Sequence, residues 1–548
     1  MEKIIIIGAV AAGTSAAAKA RRNDESAEIV VYEKDTFISY SACGTPYFIG
    51  GEIKSVEELT PRDPAFFKKK YNIDVKTGHE VLCIDSEKKT VTVKNLLTEE
   101  TFTDTYDQLI LATGALPNVP NVEGMEKGNV FFLRNIHDAS NIATYIKKNH
   151  PQNALIVGTG FIGFEIMENF LEKGIQVTMV EKSAKITPHL DTDMATYLEE
   201  KLLTKGVNIL KETTVKSIGE GEVTLSTGDV LPLDIVVIAT GVRPNTTLAK
   251  TAGITLGETG AIKVDEGMRT NLPDIFACGD CVETYCAITG KPTYRPLGST
   301  ANKTGRIAGD VATGGNLVYK GHVGTGIFKC LDITVATTGL SEKEALENGF
   351  EIALCHAIKP DKPAYMQGKE MTIKAVADKA TGRLLGVQII GEKGVDKRID
   401  VFATLITLNA TVDTLFHLDL AYAPPFSTTK DPVHYTGMIL DNALHQGREL
   451  ITATEIQHTH EPLQIIDVRS EKNVAQKGMV QGAVNIPVAV LRQTADTLDK
   501  TRPTVTYCNK GVTGNAAQNI LQGKGFTNVR NLSGGYTFYK AISKGTKK

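Results

Sequence analysis

The chain has 548 residues, 60 Lys and Arg against 63 Asp and Glu, a formal net charge of −3 and 22% charged residues. At roughly 100 to 200 residues per domain that length predicts three to five domains, and the near-neutral charge leaves no electrostatic footprint for nucleic acid. No run approaches the ~18 apolar residues of a membrane span, and the eight cysteines (43, 83, 278, 281, 286, 330, 355 and 508) show no paired framework, which suits a reducing cytoplasm.

In chain order, Ile4 to Ile7 predicts a short buried parallel strand, too brief for the apolar core of a signal peptide. Gly8-Ala9-Val10-Ala11-Ala12-Gly13 follows, a G-x-x-x-x-G with Val10 at the central glycine position, then an Ala-rich helix over Thr14 to Arg22. A strand over Ile29 to Glu33 ends in an acid 20 residues after Gly13, where the ribose of a dinucleotide would be held. Phe37 to Tyr47 then carries Cys43 among small and turn-forming residues. We read Cys43 as a redox nucleophile that opens a helix, with free N–H groups ahead of it lowering its pKa. The competing reading is a half-buried loop cysteine.

A second copy has all three glycines: Ala154 to Val157, then Gly158-Thr159-Gly160-Phe161-Ile162-Gly163, a helix containing Glu165, and a strand ending at Glu181. The first glycine makes the turn, the second lets pyrophosphate approach the backbone and the third lets helix pack on strand. Glu181 favours a free ribose 2′-hydroxyl and therefore NADH, with NADPH kept open by Lys182 and Lys185. Two such units imply two dinucleotides and an electron path between them. Ala112-Thr113-Gly114 and Ala239-Thr240-Gly241 each follow an apolar strand and read as crossings between domains. Cys278-x-x-Cys281 lies around Gly279-Asp280; with Cys286 it lacks the four ligands zinc requires, so packing cysteines and no metal are expected.

Residues 321 to 445 alternate strands (Thr334 to Thr337, Leu384 to Ile390) with helices (Val401 to Leu408, Tyr435 to His445) and predict an α+β interface domain; 446 to 460 reads as a tether. Beyond it, a strand over Thr504 to Tyr507 delivers Cys508 into Asn509-Lys510-Gly511-Val512-Thr513-Gly514 and a helix over Asn515 to Leu521. In such a strand–loop–helix turn, successive N–H groups point at whatever hangs from the sulfur.

On these motifs, residues 1 to 445 resemble the pyridine nucleotide-disulfide oxidoreductase superfamily. The resemblance implies FAD at Gly8, Gly13, Glu33 and Asp280, and NADH or NADPH at Gly158, Gly160, Gly163 and Glu181, with Ala112, Thr113, Gly114 and Gly241 among the cofactor contacts. Glutathione reductase-like members carry a second active-site cysteine and a late His-Pro-Thr-x-x-Glu motif. Here Ile38 and Phe48 hold the flanking positions and that motif is absent. NADH peroxidase-like members have a histidine where Ala11 stands, which argues against peroxide chemistry. Ser39-Tyr40-Ser41-Ala42-Cys43 is similar to the Ser-Phe-x-x-Cys motif of the coenzyme A-disulfide reductase group, with Tyr for Phe. That likeness implies that Cys43 cycles through a mixed disulfide with coenzyme A, which supplies the missing second sulfur. It also implies that Tyr365 and Tyr422 stabilise or protonate the departing thiolate, with Tyr422 reaching in from the other subunit of a homodimer. The competing reading of both is ordinary amphipathic core tyrosines. Ser39, Lys19, Arg22 and Lys70 are candidate coenzyme A contacts, Arg22 first; otherwise the basic groups are solvated faces.

Residues 451 to 548 resemble a rhodanese domain, which implies a persulfide on Cys508. Thr513 stands where many rhodaneses have arginine, and Lys510 is expected to compensate. The expected fold is therefore α/β: two Rossmann-like domains (FAD, 1–115 and 240–320; NAD(P)H, 116–239), an α+β dimerisation domain (321–445), a linker (446–460) and an α/β rhodanese domain (461–548). The expected activity is NAD(P)H-driven reduction of coenzyme A persulfide, polysulfide or coenzyme A disulfide at Cys43, with Cys508 handling sulfane sulfur. One rival is an NADH oxidase with an independent thiosulfate sulfurtransferase tail; another is a flavin-based redox sensor with a docking tail.

Overall fold

In the computed structural model, which describes residues 2–545, the isoleucine run forms strand Lys3–Ile7 at the centre of a five-stranded parallel sheet. Its neighbours are Glu28–Glu33, paired in turn with Asp74–Thr77, and on the other side Gln108–Leu111, paired with Ile275–Ala277. Ile4, Ile5 and Ile6 are wholly buried because both faces of the sheet are covered, one by helices and the other by the antiparallel strands His79–Asp85 and Thr90–Asn95, which is why the run does not alternate with polar residues. Helices Ala11–Asn23 and Gly298–Val311 pack backbone to backbone. A Cβ at Gly305 or Gly309 would stand 2.2 Å from the Ala12 or Ala16 carbonyl oxygen, so small residues on both helices set the spacing.

The second dinucleotide unit repeats the plan. Strand Asn153–Val157 lies between Gln176–Val180 and Ile235–Ile238, all parallel, with Val130–Phe132 beyond. The two crossings meet each other, because Ala115–Pro117 and Val242–Pro244 pair as a two-stranded antiparallel ribbon.

The contacts divide the chain into two compact units. One comprises residues up to Lys182 with Ile209–His322 and contains both dinucleotide folds. The other comprises Ser183–Asn208 with the chain from Val323 onward. The second unit holds an antiparallel five-stranded sheet in the order Gly326–Cys330, Ile333–Gly339, Leu384–Gly391, Glu370–Asp378, Ile352–Pro360. Helices Val395–Thr407 and Pro432–His445 accompany it. Helix Thr192–Leu203, placed by the sequence within 116–239, groups with this unit. The reason is a buried ionic cluster in which Lys374 reaches Asp191, Asp193 and Glu342, while His356 reaches Asp193 and stacks on Phe538.

The same unit carries a parallel sheet in the order Leu450–Ile451, Val529–Leu532, Thr504–Tyr507, Gln464–Asp467, Val484–Asn485. Here the expected tether is corrected. Within 446–460, Leu450–Ile451 is an edge strand of that sheet, and Ala453–His458 is a helix closed by a reciprocal Thr452–Glu455 cap.

Candidate functional site

The two glycine loops have one geometry. Gly8 (φ +105°) and Gly158 (φ +108°) adopt a backbone conformation that side chains resist. A Cβ there would stand 2.3 Å from the Ala112 carbonyl and 2.5 Å from that of Ala239, so each Ala-Thr-Gly crossing closes down on its own glycine loop. Gly13 and Gly163 have no more room: a Cβ would lie 1.8 and 2.3 Å from the carbonyls of Gly8 and Gly158. Gly160 faces open space, with nothing within 4 Å of a Cβ. Glu33 accepts the Ala9 N–H at 2.7 Å and the Asp35 N–H at 2.9 Å, and burial pushes its carboxyl up. Glu181 takes the equivalent place, accepting from Thr159 N–H (3.2 Å) and Oγ1 (2.7 Å). Helices of 13 and 12 residues start at these loops and present N–H groups to an anion. Thr113 Oγ1 donates to the Asn245 carbonyl, and the carbonyls of Gly114 and Gly241 accept from Asn245 and Asn118, so these turns hold the crossings in register. The donor set and clearances fit an adenine dinucleotide at each loop.

Asp280 follows Gly279 (φ +81°) and receives the Arg134 guanidinium at 2.8 Å, while its own carbonyl accepts from Tyr294. Cys278 and Cys281 are wholly buried beneath it as packing residues, and among the described residues no group of three ligands could hold a metal.

Cys43 sits in the short turn Ala42–Gly44 that runs into helix Thr45–Gly50, and it is exposed. The N–H of Ser39 (φ +48°) donates to the Ala9 carbonyl at 2.8 Å, which ties the cysteine stretch to the first glycine loop. The expected lowering of the Cys43 pKa is corrected. Although the residue is exposed, protein around the sulfur partly desolvates it; that desolvation, then the carboxylates of Glu165 and Asp280, push the thiol up, with Arg134 acting in the other direction. The physical reason is that a three-residue turn and a six-residue helix present little dipole, whereas two acids stand near. Glu165, noted in the sequence only as lying in a helix, is pushed up to about 7 by burial and by Glu168. A carboxyl between buried Phe164 and buried Ile166 and Met167 was the signal that could have marked it.

The candidate coenzyme A contacts differ in availability. Lys19 is ion-paired with Asp310 at 2.9 Å and bonded to Asn23 at 2.7 Å. Arg22 is exposed, and Lys70 is exposed with its ammonium 5.3 Å from the Phe66 ring centre and 5.4 Å from that of Tyr71. Arg21 is buried among backbone carbonyls and serves the fold. Tyr365 and Tyr422 belong to the second unit and are not core residues, being 74% and 47% exposed.

Cys508 ends strand Thr504–Tyr507 and is buried. Its carbonyl accepts from the Tyr536 N–H, and Gly511 (φ +94°) turns the chain into helix Val512–Gly523, which begins three residues before the expected Asn515. None of the N–H groups from Asn509 to Gly514 donates to a protein acceptor among the described residues. The sulfur faces a cavity of about 510 Å³ whose lining includes Arg469, Ser470, Asn473, Lys510 and Thr513. Lys510, expected to stand in for an arginine, is instead ion-paired with Glu370 of the antiparallel sheet.

Among the described residues no helix is long and apolar enough to cross a membrane. The family model for pyridine nucleotide-disulphide oxidoreductases matches residues 2–303, the dimerisation domain of the same family 326–432, and a rhodanese-like domain 451–542. The chain is 33% identical over 439 residues to the coenzyme A disulfide reductase of Staphylococcus haemolyticus, covering 80% of this chain and 99% of that one. It superposes on reduced Bacillus anthracis CoADR-RHD with a TM-score of 0.96 at 37% identity, over 99% of this chain and 98% of that one. For an NAD-dependent persulfide reductase from A. fulgidus the TM-score is 0.91 at 37% identity, over 98% and 99% of the two chains.

Proposed function

The chain belongs to the pyridine nucleotide-disulphide oxidoreductase family, and from that premise we propose that it is an NAD(P)H-dependent flavoprotein reducing coenzyme A persulfide, polysulfide or coenzyme A disulfide at Cys43. Cys508 handles sulfane sulfur in the same chain. The observation that carries this reading is that Cys43 is an exposed free thiol on a stretch bonded to the first glycine loop. Its own stretch, Phe37 to Tyr47, carries no second cysteine, so a small thiol serves as its exchange partner.

Gly8, Gly13, Glu33 and Asp280 would hold FAD, and Gly158, Gly160, Gly163 and Glu181 the nicotinamide nucleotide. Bound FAD would relay two electrons from the nicotinamide to sulfur at Cys43. The protein's own part is to govern the thiol. Arg134 favours its ionisation, and Glu165, titrating at about 7, opposes it once ionised. The Cys43 thiolate attacks the substrate's S–S bond, forming a mixed disulfide and expelling a thiolate. Tyr365 and Tyr422 are proposed to stabilise that thiolate, with Tyr422 entering from the second subunit. The match to the dimerisation domain and the exposure of Leu408, Tyr422 and Phe426 support a homodimer. Coenzyme A phosphates are proposed to meet Ser39 and Arg22, with Lys19 and Lys70 at the margin. The scattered cysteines, with no paired framework in the sequence, support a cytoplasmic location.

The test is anaerobic kinetics with NADH and coenzyme A persulfide, coenzyme A disulfide or polysulfide on wild type and Cys43→Ser. Loss of sulfur reduction in the variant is expected. Retained reduction would refute the proposal, and oxygen consumption indifferent to Cys43→Ser would favour the oxidase reading.

A further inference from the structure

The cavity at Cys508 is built from two parts of the second unit. Most of its lining comes from the C-terminal parallel sheet and its loops, but Lys359 comes from strand Ile352–Pro360 of the antiparallel sheet. Three cations line the cavity, and two are already neutralised. Arg469 grips Asp467 through Nε at 2.9 and 3.1 Å and also donates to the Gly478 carbonyl. Lys510 is paired with Glu370. Lys359 alone of the three has no carboxylate partner among the described residues; its ammonium stands 3.6 Å from the centre of the Tyr435 ring. Burial, then the charges of Lys510 and Lys430, push its pKa down, while Cys508 acts to raise it. A half-buried cation beside like charges is an unfavourable arrangement that an anion in the cavity offsets. Asn509, Lys510, Val512 and Thr513, whose N–H groups donate to no protein acceptor among the described residues, line the same cavity, and Thr513 brings no charge of its own.

We propose that Lys359 is the anion-recognition residue of the sulfane-sulfur site at Cys508, so that this site is completed by the dimerisation sheet and selects sulfur donors that are themselves anionic. The proposal rests on the reading of Cys508 as a sulfane-sulfur acceptor. In the step it serves, the Cys508 thiolate attacks the outer sulfur of a donor R–S–S⁻. A new S–S bond forms on Cys508, the donor's S–S bond breaks, and its electron pair leaves on R–S⁻. Two negative charges enter and two remain, one on the Cys508 persulfide and one on the departing anion beside Lys359. With thiosulfate the leaving anion is sulfite and the balance is the same with one more negative charge on each side.

The test uses the full-length protein as wild type, Lys359→Gln and Lys359→Arg. Thiosulfate serves as the anionic donor and cyanide as the acceptor, with dimethyl trisulfide as the neutral donor, whose central sulfur is attacked by Cys508 with loss of methanethiolate; the Cys508 adduct, persulfide from the first and methyl trisulfide from the second, is followed by intact mass. Lys359→Gln is expected to raise the thiosulfate KM about tenfold, with kcat within about twofold and transfer from dimethyl trisulfide retained; a tenfold change corresponds to ~1.4 kcal/mol. Lys359→Arg is expected to restore the thiosulfate KM. A wild-type thiosulfate KM in Lys359→Gln, or equal loss with both donors, would overturn the proposal. Should wild-type Cys508 take sulfur from neither donor, the underlying reading of Cys508 fails, and that result is distinct from a defect confined to the Lys359 variants.

Discussion

Arg134 donates from Nη2 to the Asp280 carboxylate at 2.8 Å, so an acid expected to hold FAD and a cation that favours the Cys43 thiolate form one ion pair. Removing the cation leaves Asp280 unpaired and strengthens the negative field at Cys43. Arg134→Leu is therefore expected to raise the Cys43 thiol pKa further and to lower flavin content. The pH dependence of Cys43 alkylation, followed by peptide mass, and the flavin-to-protein absorbance ratio measure both effects. An unchanged alkylation profile would show that Arg134 does not act on the thiol.

Glu165 gives the protein a pH dependence of definite sign. Its folded pKa of about 7 lies above the ordinary carboxyl value of 4.5, so the fold favours the protonated form. That stabilisation is complete below about 4.5 and is lost as pH rises through 7, with a span of roughly 3 kcal/mol. Glu165→Gln is expected to flatten the urea midpoint between pH 5 and 8 relative to wild type. Parallel curves for the two proteins would refute the assignment.

Gly160 and Gly163 separate ligand requirements from folding requirements. A methyl group at Gly160 meets no protein atom within 4 Å, whereas at Gly163 it would stand 2.3 Å from the Gly158 carbonyl. Gly160→Ala is expected to leave the melting temperature within about 2 °C and to raise the NADH KM roughly tenfold or more. Gly163→Ala is expected to lower the melting temperature itself. Equal effects of the two on stability would contradict this division.

Lys374 is 1% exposed and contacts Asp193 at 2.9 Å, Glu342 at 2.6 Å and Asp191 at 3.2 Å. Burial disfavours its charge, but the three acids outweigh it; burial likewise opposes ionised Asp193, which Lys374 and His356 hold well below the usual carboxylate range. Lys374→Met leaves acids buried without their cation and is expected to cost about 3–5 kcal/mol, read as a fall in denaturation midpoint at pH 7. The contribution of Asp193 is present above its unfolded pKa, near 3.8, and disappears as pH falls below that value. The wild type is therefore expected to lose more stability than the variant on acidification.

Subunit complementation tests Tyr422 in trans. Cys43→Ser and Tyr422→Phe proteins are each expected to be impaired in sulfur reduction. Co-refolded heterodimers are expected to recover activity, because one site then has both native residues. Were Tyr422 to serve its own chain's Cys43, mixing would restore nothing.

Both glycine loops, and the turn that delivers Cys508 from strand to helix, were legible in the sequence because their constraints act within a few residues. A steric demand at Gly13 or Gly163 is met by the carbonyl of Gly8 or Gly158 in the same loop. Glu33 and Glu181 were legible for a related reason, since each closes the strand beside its own loop. What the tertiary structure alone decided are the charges around the sulfurs. Arg134 meets Asp280 across 146 positions of chain, Lys359 arrives beside Cys508 from another sheet, and Lys510 is neutralised by Glu370. Leu450–Ile451 likewise becomes a strand only by pairing with Asn531 and Leu532. Local sterics are written into neighbouring residues, whereas an electrostatic field sums over groups that only folding brings within a few ångströms. Sequence alone therefore singled out the two candidate sulfurs, and the folded chain determined which charged groups stand around each.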